Sequence, residues 1–388
     1  MPFRLLFRNM LSHPIRTLLT AASVAIAMFL MCVLDAAVTG LDATVAQASR
    51  TRLWVQSAVS LFVLLPDSYE AKIKTVPGVE EVVRFQWFGG VYQDPSNFFA
   101  QFAVDPQKWF ESYPEIEIVD GSLAQWQAGR TNCILGRDLA NRFGWQVGDR
   151  VPLQGTIFPK TDGTAWEFDV AGIYESHSTS VDQQTMFFDY DYLYESLKGD
   201  VAGGPKGVGV YLTRLAAGTN PDGVIAAIEG FYENGPQRVR ATREGEFQRQ
   251  FITMLGSVPT LLYSIGGGVL FAIFFAVLNT MLMAARERTR DIGILKALGF
   301  GDGRITALLC AESLLLCAGG GSVGVALAKA AERPIWSVVS FQIPGFEIPT
   351  AVVVQGLLLA VGLGLVAGLA PAWRARRLRP VAALRAEA

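Results

Sequence analysis

Few groups in this chain could carry covalent chemistry. There are two histidines, His13 and His177. The run Ser176-His177-Ser178, with Asp182 nearby, contains the residue types of a nucleophile, a base and an orienting acid. Neighbours so close in sequence seldom face one another in the geometry a triad needs, so hydrolysis is not expected. Cys32, Cys310 and Cys317 lie in apolar runs, and Cys133 stands alone in a polar stretch. Such scatter builds no disulfide framework and predicts small apolar packing. No metal-ligand cluster is evident, and no GxxxxGK[ST] phosphate loop occurs. No catalytic residue, metal or cofactor is expected on this chain.

Two features invite a mechanical reading instead. In residues 286–300 (RERTRDIGILKALGF), Arg286, Arg290 and Asp291 alternate with Ile292, Ile294, Leu295, Ala297 and Leu298. A short amphipathic helix fits this pattern, with its apolar positions open to a partner's groove and a turn at Gly293 or Gly299. The second feature is Glu312, seven residues into an apolar run and so about 11 Å along it. An ionised side chain at mid-bilayer costs on the order of 3 kcal/mol, so Glu312 must face protein. It reads as a hydrogen-bonded packing residue or as a polar element of a gate or seam.

The elements that position these residues follow from hydropathy. Of the 388 residues, 51% are hydrophobic, and they concentrate in four runs of bilayer-crossing length. These are residues 17–41, 255–285, 305–328 and 351–372, joined by a segment over 286–304 and a short loop over 329–350. The first run exceeds the apolar core of a signal peptide and reads as an anchor. Before it, residues 1–16 place Phe3, Phe7, Met10 and Leu11 on one face and Arg4 and Arg8 among the polar positions, predicting a short amphipathic helix. Basic residues crowd the start, the 286–304 segment and the tail over 373–388, whereas residues 42–255 hold 18 basic and 27 acidic side chains. Basic flanks mark the cytoplasmic side, which puts both termini inside and the acidic insert outside. That acidity also argues against nucleic acid as a partner. Gly266 to Gly268, Gly319 to Gly321 with Gly324, and Gly364 with Gly368 predict close helix approach.

The insert, residues 42–254, alternates strand and helix patterns. Strands are expected over 55–65, 79–88, 99–104, 166–174, 208–212 and 238–241, and helices from Glu70 to Val76, capped by Asp67 with Glu70, and over 222–232. Its aromatics, among them Trp87, Phe88, Tyr92, Phe98, Phe99 and Phe102, read mostly as core. The layout suggests one α+β unit interrupted by a second, β-rich subdomain at roughly 105–200. Residues 242–256 are helix-compatible and are expected to run unbroken into the second span.

Four stretches together resemble the MacB/FtsX-like permeases of ABC transporters: residues 8–19 (RNMLSHPIRTLL), 286–300, 312–320 (ESLLLCAGG) and 371–387 (PAWRARRLRPVAALRAE). Residues 136–151, 168–173 and 187–197 also look like pieces of that family's extracytoplasmic domain. The resemblance implies an α-helical membrane protein with four transmembrane helices and an α+β extracytoplasmic domain inserted between helices 1 and 2. It implies a bacterial inner-membrane location and a dimer with a second copy or a paralogue. A separate ATPase, which binds ATP and Mg, would engage Arg286, Glu287, Arg290, Asp291, Ile292, Gly293, Ile294, Leu295, Lys296, Ala297, Leu298 and Gly299. Membrane lipids and a periplasmic protein or lipoprotein are the other partners implied. The expected role is export or extraction of lipid, lipoprotein, peptide or drug cargo; the alternative is transmembrane signalling that activates an extracytoplasmic cell-wall hydrolase.

Overall fold

The structure, a computed structural model, describes residues 14–47, 49, 51–178, 181–199, 201–254, 258–339, 343 and 345–378. The amphipathic helix expected before residue 14 and the last ten residues of the tail lie outside the described residues. In chain order the elements begin with α1 (Pro14–Gln47), β1 (Arg52–Ser57), α2 (Tyr69–Lys74), β2 (Val79–Trp87), β3 (Gly90–Val91), β4 (Ala100–Val104) and α3 (Pro106–Ser112). Next come β5 (Ile116–Gly121), α4 (Leu123–Ala128), β6 (Asn132–Gly136), α5 (Arg137–Phe143), β7 (Arg150–Gly155), β8 (Trp166–Ser176), β9 (Thr185–Asp189) and α6 (Tyr190–Lys198). The rest are β10 (Val210–Leu215), α7 (Pro221–Tyr232), β11 (Val239–Arg243), α8 (Glu244–Met254), α9 (Val258–Glu287), α10 (Thr289–Ala297), α11 (Asp302–Val339) and α12 (Thr350–Arg377). They form two compact units, one from Met1–Leu41 with Leu255–Ala388 and one from Asp42–Met254.

In the first unit α1, α9, α11 and α12 are each long and apolar enough to cross a membrane. Helices in hydrocarbon gain nothing from burying apolar surface against one another, so small residues that allow backbone approach decide where they touch. A Cβ placed on Gly320 would lie 2.5 Å from the Ala21 carbonyl oxygen, and Gly324 meets the Ala25 carbonyl one turn on. Gly364 and Gly368 seat α12 against the α11 backbone at Leu314 and Cys310, with Cβ positions 2.9 and 3.0 Å from those Cα atoms. Between them the Ser313 hydroxyl donates to the Gly364 carbonyl at 2.7 Å. Gly267, Gly268 and Gly319 meet nothing within 4 Å, so only part of the expected glycine set makes contact within the chain. Helix α11 runs to Val339, through the segment expected as a loop from residue 329. Its extension opens on the charged run Lys329–Arg333 (KAAER), which keeps helix propensity while losing hydropathy, and continues past Pro334 inside the helix; Lys329 holds it by an ion pair to Glu332 at 2.5 Å and a bond to the Ile348 carbonyl at 2.9 Å.

The second unit is built on an 11-stranded sheet in the order β11-β1-β10-β2-β4-β9-β6-β8-β7-β3, with β5 added alongside β8. Pairs β4–β9 and β6–β8 are parallel and the others antiparallel. Period-2 alternation feeds two cores. Val82, Tyr211, Met186 and Phe188, with Cys133 and Leu135, enter one with α2, α5, α6 and α7. Their neighbours Val83, Leu212, Phe187 and Ile134 enter the other with Trp109 of α3 and Trp126 of α4. Burial raises the Cys133 thiol pKa and leaves it an inert packing group.

The segment expected as a separate subdomain therefore extends the same sheet, because β4 hands the ladder directly to β9. Two local expectations also change. The apolar run over 55–65 is strand only to Ser57; beyond it Val59 and Phe62 are exposed, having no strand partner to cover them. No capping box forms at Asp67: the N-cap is Ser68, without a side-chain bond, while Glu70 pairs with Lys108 at 2.6 Å and Asp67 accepts from the Tyr190 hydroxyl at 3.2 Å. The junction expected to be an unbroken helix falls at 255–257, outside the described residues.

Adjacent glycines on α11 offer a controlled test of the packing. Gly320→Val should lower stability by about 1–3 kcal/mol through overpacking against Ala21, whereas Gly319→Val should be near neutral. Thermal aggregation of the detergent-solubilised protein, followed by size-exclusion chromatography, checks this.

Candidate functional site

Helix α10 is nine residues long and set off from α9 by a break at Arg288 (φ −98°, ψ 18°). Its far end is a Schellman motif: the Phe300 amide donates to the Leu295 carbonyl and the Gly299 amide to that of Lys296, both at 3.0 Å, with Gly299 at φ +87°. The turns thus lie at Arg288 and Gly299. Gly293, one of the two expected turn positions, is inside the helix and buried.

The segment's residues divide between two faces. Ile292 is buried with Ile305 and Ala375, and Leu295 and Phe300 pack against that cluster. Lys296 also turns inward: its ammonium donates to the carbonyls of Arg376 and Leu378 at 3.1 and 3.0 Å and pairs with Asp302 at 2.9 Å. A cation on the last carbonyls of a helix satisfies acceptors that have no partner within it. Arg286, Arg290, Asp291, Ala297 and Gly299 are exposed. So are Ile294 (40%) and Leu298 (72%), an apolar pair four residues apart on the free face. Glu287 forms a two-point pair with Arg16 of α1, both bonds 2.6 Å.

Glu312 is 6% exposed, and its two carboxylate oxygens accept from the Arg288 guanidinium at 2.8 and 2.9 Å. The break between α9 and α10 is therefore pinned to α11 by a charge pair. Nothing local in the sequence marks Arg288, because its partner is 24 residues on; an intramembrane acid in need of a counter-ion was the one available signal.

A second buried charge cluster was not anticipated at all. In the sheet unit, Arg52 at the start of β1 pairs with Glu244 at the start of α8 (2.9 Å) and with Glu115 (2.5 Å), and it donates to the Ser112 carbonyl at 2.9 Å. The Tyr113 hydroxyl donates to Glu244 at 3.2 Å, its ring lies 4.0 Å from the Arg52 guanidinium, and the Ser49 amide donates to Glu244 at 2.8 Å. Burial lowers the Arg52 pKa, but Tyr113 and the two carboxylates outweigh it and the net shift is upward. Burial, then Glu244, raises Tyr113 well above its ordinary value. Arg52 lies five residues beyond the end of α1 and Glu244 opens α8, the last element before α9. One ion cluster thus ties together both chain segments that connect this unit to the apolar helices.

Among the described residues of the Ser176–Asp182 region, the Ser176 hydroxyl donates to the Ser178 carbonyl, His177 lies 3.2 Å from Glu117, and Asp182 accepts from Gln184 and Thr185, so Ser176, His177 and Asp182 are each engaged elsewhere.

Family models match the chain in two blocks. The MacB-like periplasmic core domain covers residues 17–231, more than half the chain, and the FtsX-like permease C-terminal region covers residues 263–380. The chain belongs to the MacB/FtsX-like family of ABC transporter permeases. Among its relatives, the uncharacterized ABC transporter permease YknZ of Bacillus subtilis is 33% identical over 135 residues, 35% of this chain and 32% of that protein. The pyoverdine export ATP-binding/permease protein PvdT of Pseudomonas aeruginosa is 36% identical over 141 residues, 36% of this chain and 20% of that protein. The chain thus matches a third or less of the length of these curated relatives. The solved periplasmic region of MacB from Actinobacillus actinomycetemcomitans covers 53% of this chain and 95% of its own at 8% identity, with a TM-score of 0.39.

In this permease each charge cluster gives a measurable expectation. Arg288→Ala leaves Glu312 buried without its counter-ion and should destabilise the membrane unit by about 3–5 kcal/mol; adding Glu312→Gln should recover much of the loss. Thermal stability in detergent of Arg288→Ala, Glu312→Gln and the double variant measures the coupling. Arg52→Met should likewise leave Glu244 and Glu115 facing one another and lower the melting temperature, with Glu244→Gln partly restoring it.

Proposed function

We propose that this permease is the non-catalytic membrane subunit of an ABC transporter, driven at α10 by a separate ATPase that binds ATP and Mg. The observation that carries this reading is the division of α10: Ile292, Leu295 and Lys296 lock the helix to its own unit, while Ile294 and Leu298 stand exposed among Arg286, Arg290 and Asp291. An exposed apolar pair with a charged surround is the pattern of a helix that docks into a partner's groove. Force applied there reaches α1 through Glu287 and Arg16, α11 through Arg288 and Glu312, and α12 through Lys296. The outer domain receives it through the two connections tied at Arg52.

On this reading the chain sits in a bacterial inner membrane with both termini in the cytoplasm, paired with a second copy or a paralogue. The cargo is a lipid, lipoprotein, peptide or drug taken from the outer leaflet or the periplasm. Support comes from the relatives, of which PvdT is named for pyoverdine export.

The test separates the two faces of α10. Leu298→Asp should leave the permease folded and inserted yet cut recovery of a co-expressed ATPase about tenfold or more, as loss of an interface anchor does. Leu295→Asp should instead reduce folded yield. Normal ATPase capture and stimulated hydrolysis with Leu298→Asp and Ile294→Asp would overturn the proposal.

A further inference from the structure

The run that leaves β1 is uncharged from Leu53 to Pro66 and carries two of the most exposed apolar side chains in the sheet unit, Val59 (78%) and Phe62 (84%). It is a built loop. The Ala58 amide donates to the Arg238 carbonyl at 3.0 Å, the Val63 amide to the Ser60 carbonyl at 3.1 Å, and Leu65 exchanges bonds of 2.8 and 2.9 Å with Val208. Holding Phe62 in water on a fixed loop is unfavourable unless something covers it.

Beneath Val59 and Phe62 opens a cavity of about 280 Å³, lined also by Gln56, Arg240, Phe247 and Gln250. Gln56 is 5% exposed, and its Oε1 atom has no hydrogen-bond partner among the described residues. Arg240 is exposed and makes no ion pair among the described residues. The cavity therefore combines an apolar rim, an acceptor awaiting a donor and a cation awaiting an anion.

Chain length says what lies nearby. Helix α8 runs alongside β1, with Glu244 at Arg52, Phe247 stacked on Trp54 at 4.0 Å, and Gln250 at the cavity. Four helical residues at 1.5 Å and four extended ones at no more than 3.6 Å limit the distance from Gln250 to Val258, the first residue of membrane helix α9, to about 20 Å. The outer headgroup layer is within reach.

We propose that this loop docks on the outer leaflet of the bilayer. Val59 and Phe62 enter the headgroup–acyl boundary, as apolar side chains of interfacial segments do. The Arg240 guanidinium meets a lipid phosphate, and a headgroup ammonium or hydroxyl supplies the donor that Gln56 Oε1 lacks. The assignment adds a lipid-binding surface on the sheet unit itself, separate from the spanning helices and from α10.

Photo-crosslinking of the full chain in nanodiscs of phosphatidylethanolamine and phosphatidylglycerol tests it. With p-benzoylphenylalanine at position 62, mass spectrometry should find phospholipid adducts about fivefold or more above those from the same group at position 167 on β8. Arg240→Glu should reduce the yield at position 62 about fivefold in the same lipid. Covalent dimers of the chain, adducts to another protein, or lipid adducts no more frequent than at position 167 would each overturn the proposal. Size-exclusion profiles matching the unsubstituted protein identify the samples that count.

Discussion

Helices in a bilayer have no water to escape from, so they stay together only where backbones come close or polar groups find each other. That constraint shapes the whole membrane unit. Gly320 and Gly324 bring α11 onto α1 at Ala21 and Ala25, and Gly364 and Gly368 bring α12 onto α11 at Leu314 and Cys310. At these points the separation is set by main-chain atoms, which cannot yield as a flexible side chain would. Packing of this kind fixes the spacing of α1, α11 and α12 at those points.

Charge pairs then decide which parts of that body are joined. Arg288 and Glu312 pin the α9–α10 break to α11, and Arg16 with Glu287 joins α1 to α9. In the sheet unit, Arg52 collects Glu244 and Glu115 at the point where the incoming and outgoing chains meet. Buried pairs contribute little net stability over an apolar replacement, because desolvation offsets the Coulomb gain. They do penalise every arrangement that separates the partners. The relay proposed for this permease calls for that property: joints that are unique and stiff, at places where an apolar contact could slide.

The sheet unit meets a different demand. Its order of strands carries one ladder across residues far apart in sequence, from β1 through β10 and β2 to β4, β9, β6 and β8. Successive residues of β2, β6, β9 and β10 supply opposite cores, so no subset of strands could separate without opening both. Loops are left to present exposed groups on this frame, and the excursion after β1 does so with Phe62.

What could be read from the residues alone were properties carried by local pattern. Four apolar runs, their basic flanks, the helix over 222–232 and the strands around Val82 and Phe168 follow from spacing within a window of one element, and the motif residues between 286 and 300 followed from family resemblance. Local pattern also misled where its signal was composition without partners: residues 59–64 have a strand's composition but pair with no strand, and residues 329–339 lose hydropathy while remaining helical. Leu295 and Leu298 are the sharpest case, since the same residue type three positions apart in one helix faces the chain's own cluster in one instance and solvent in the other. Only the positions of α11 and α12 make that distinction. Arg288 with Glu312, and Arg52 with Glu244, are 24 and 192 residues apart. Hydropathy and helical period depend on near neighbours and are written in the sequence, whereas the choice of partner for a buried charge depends on which distant backbones the packing brings within 3 Å.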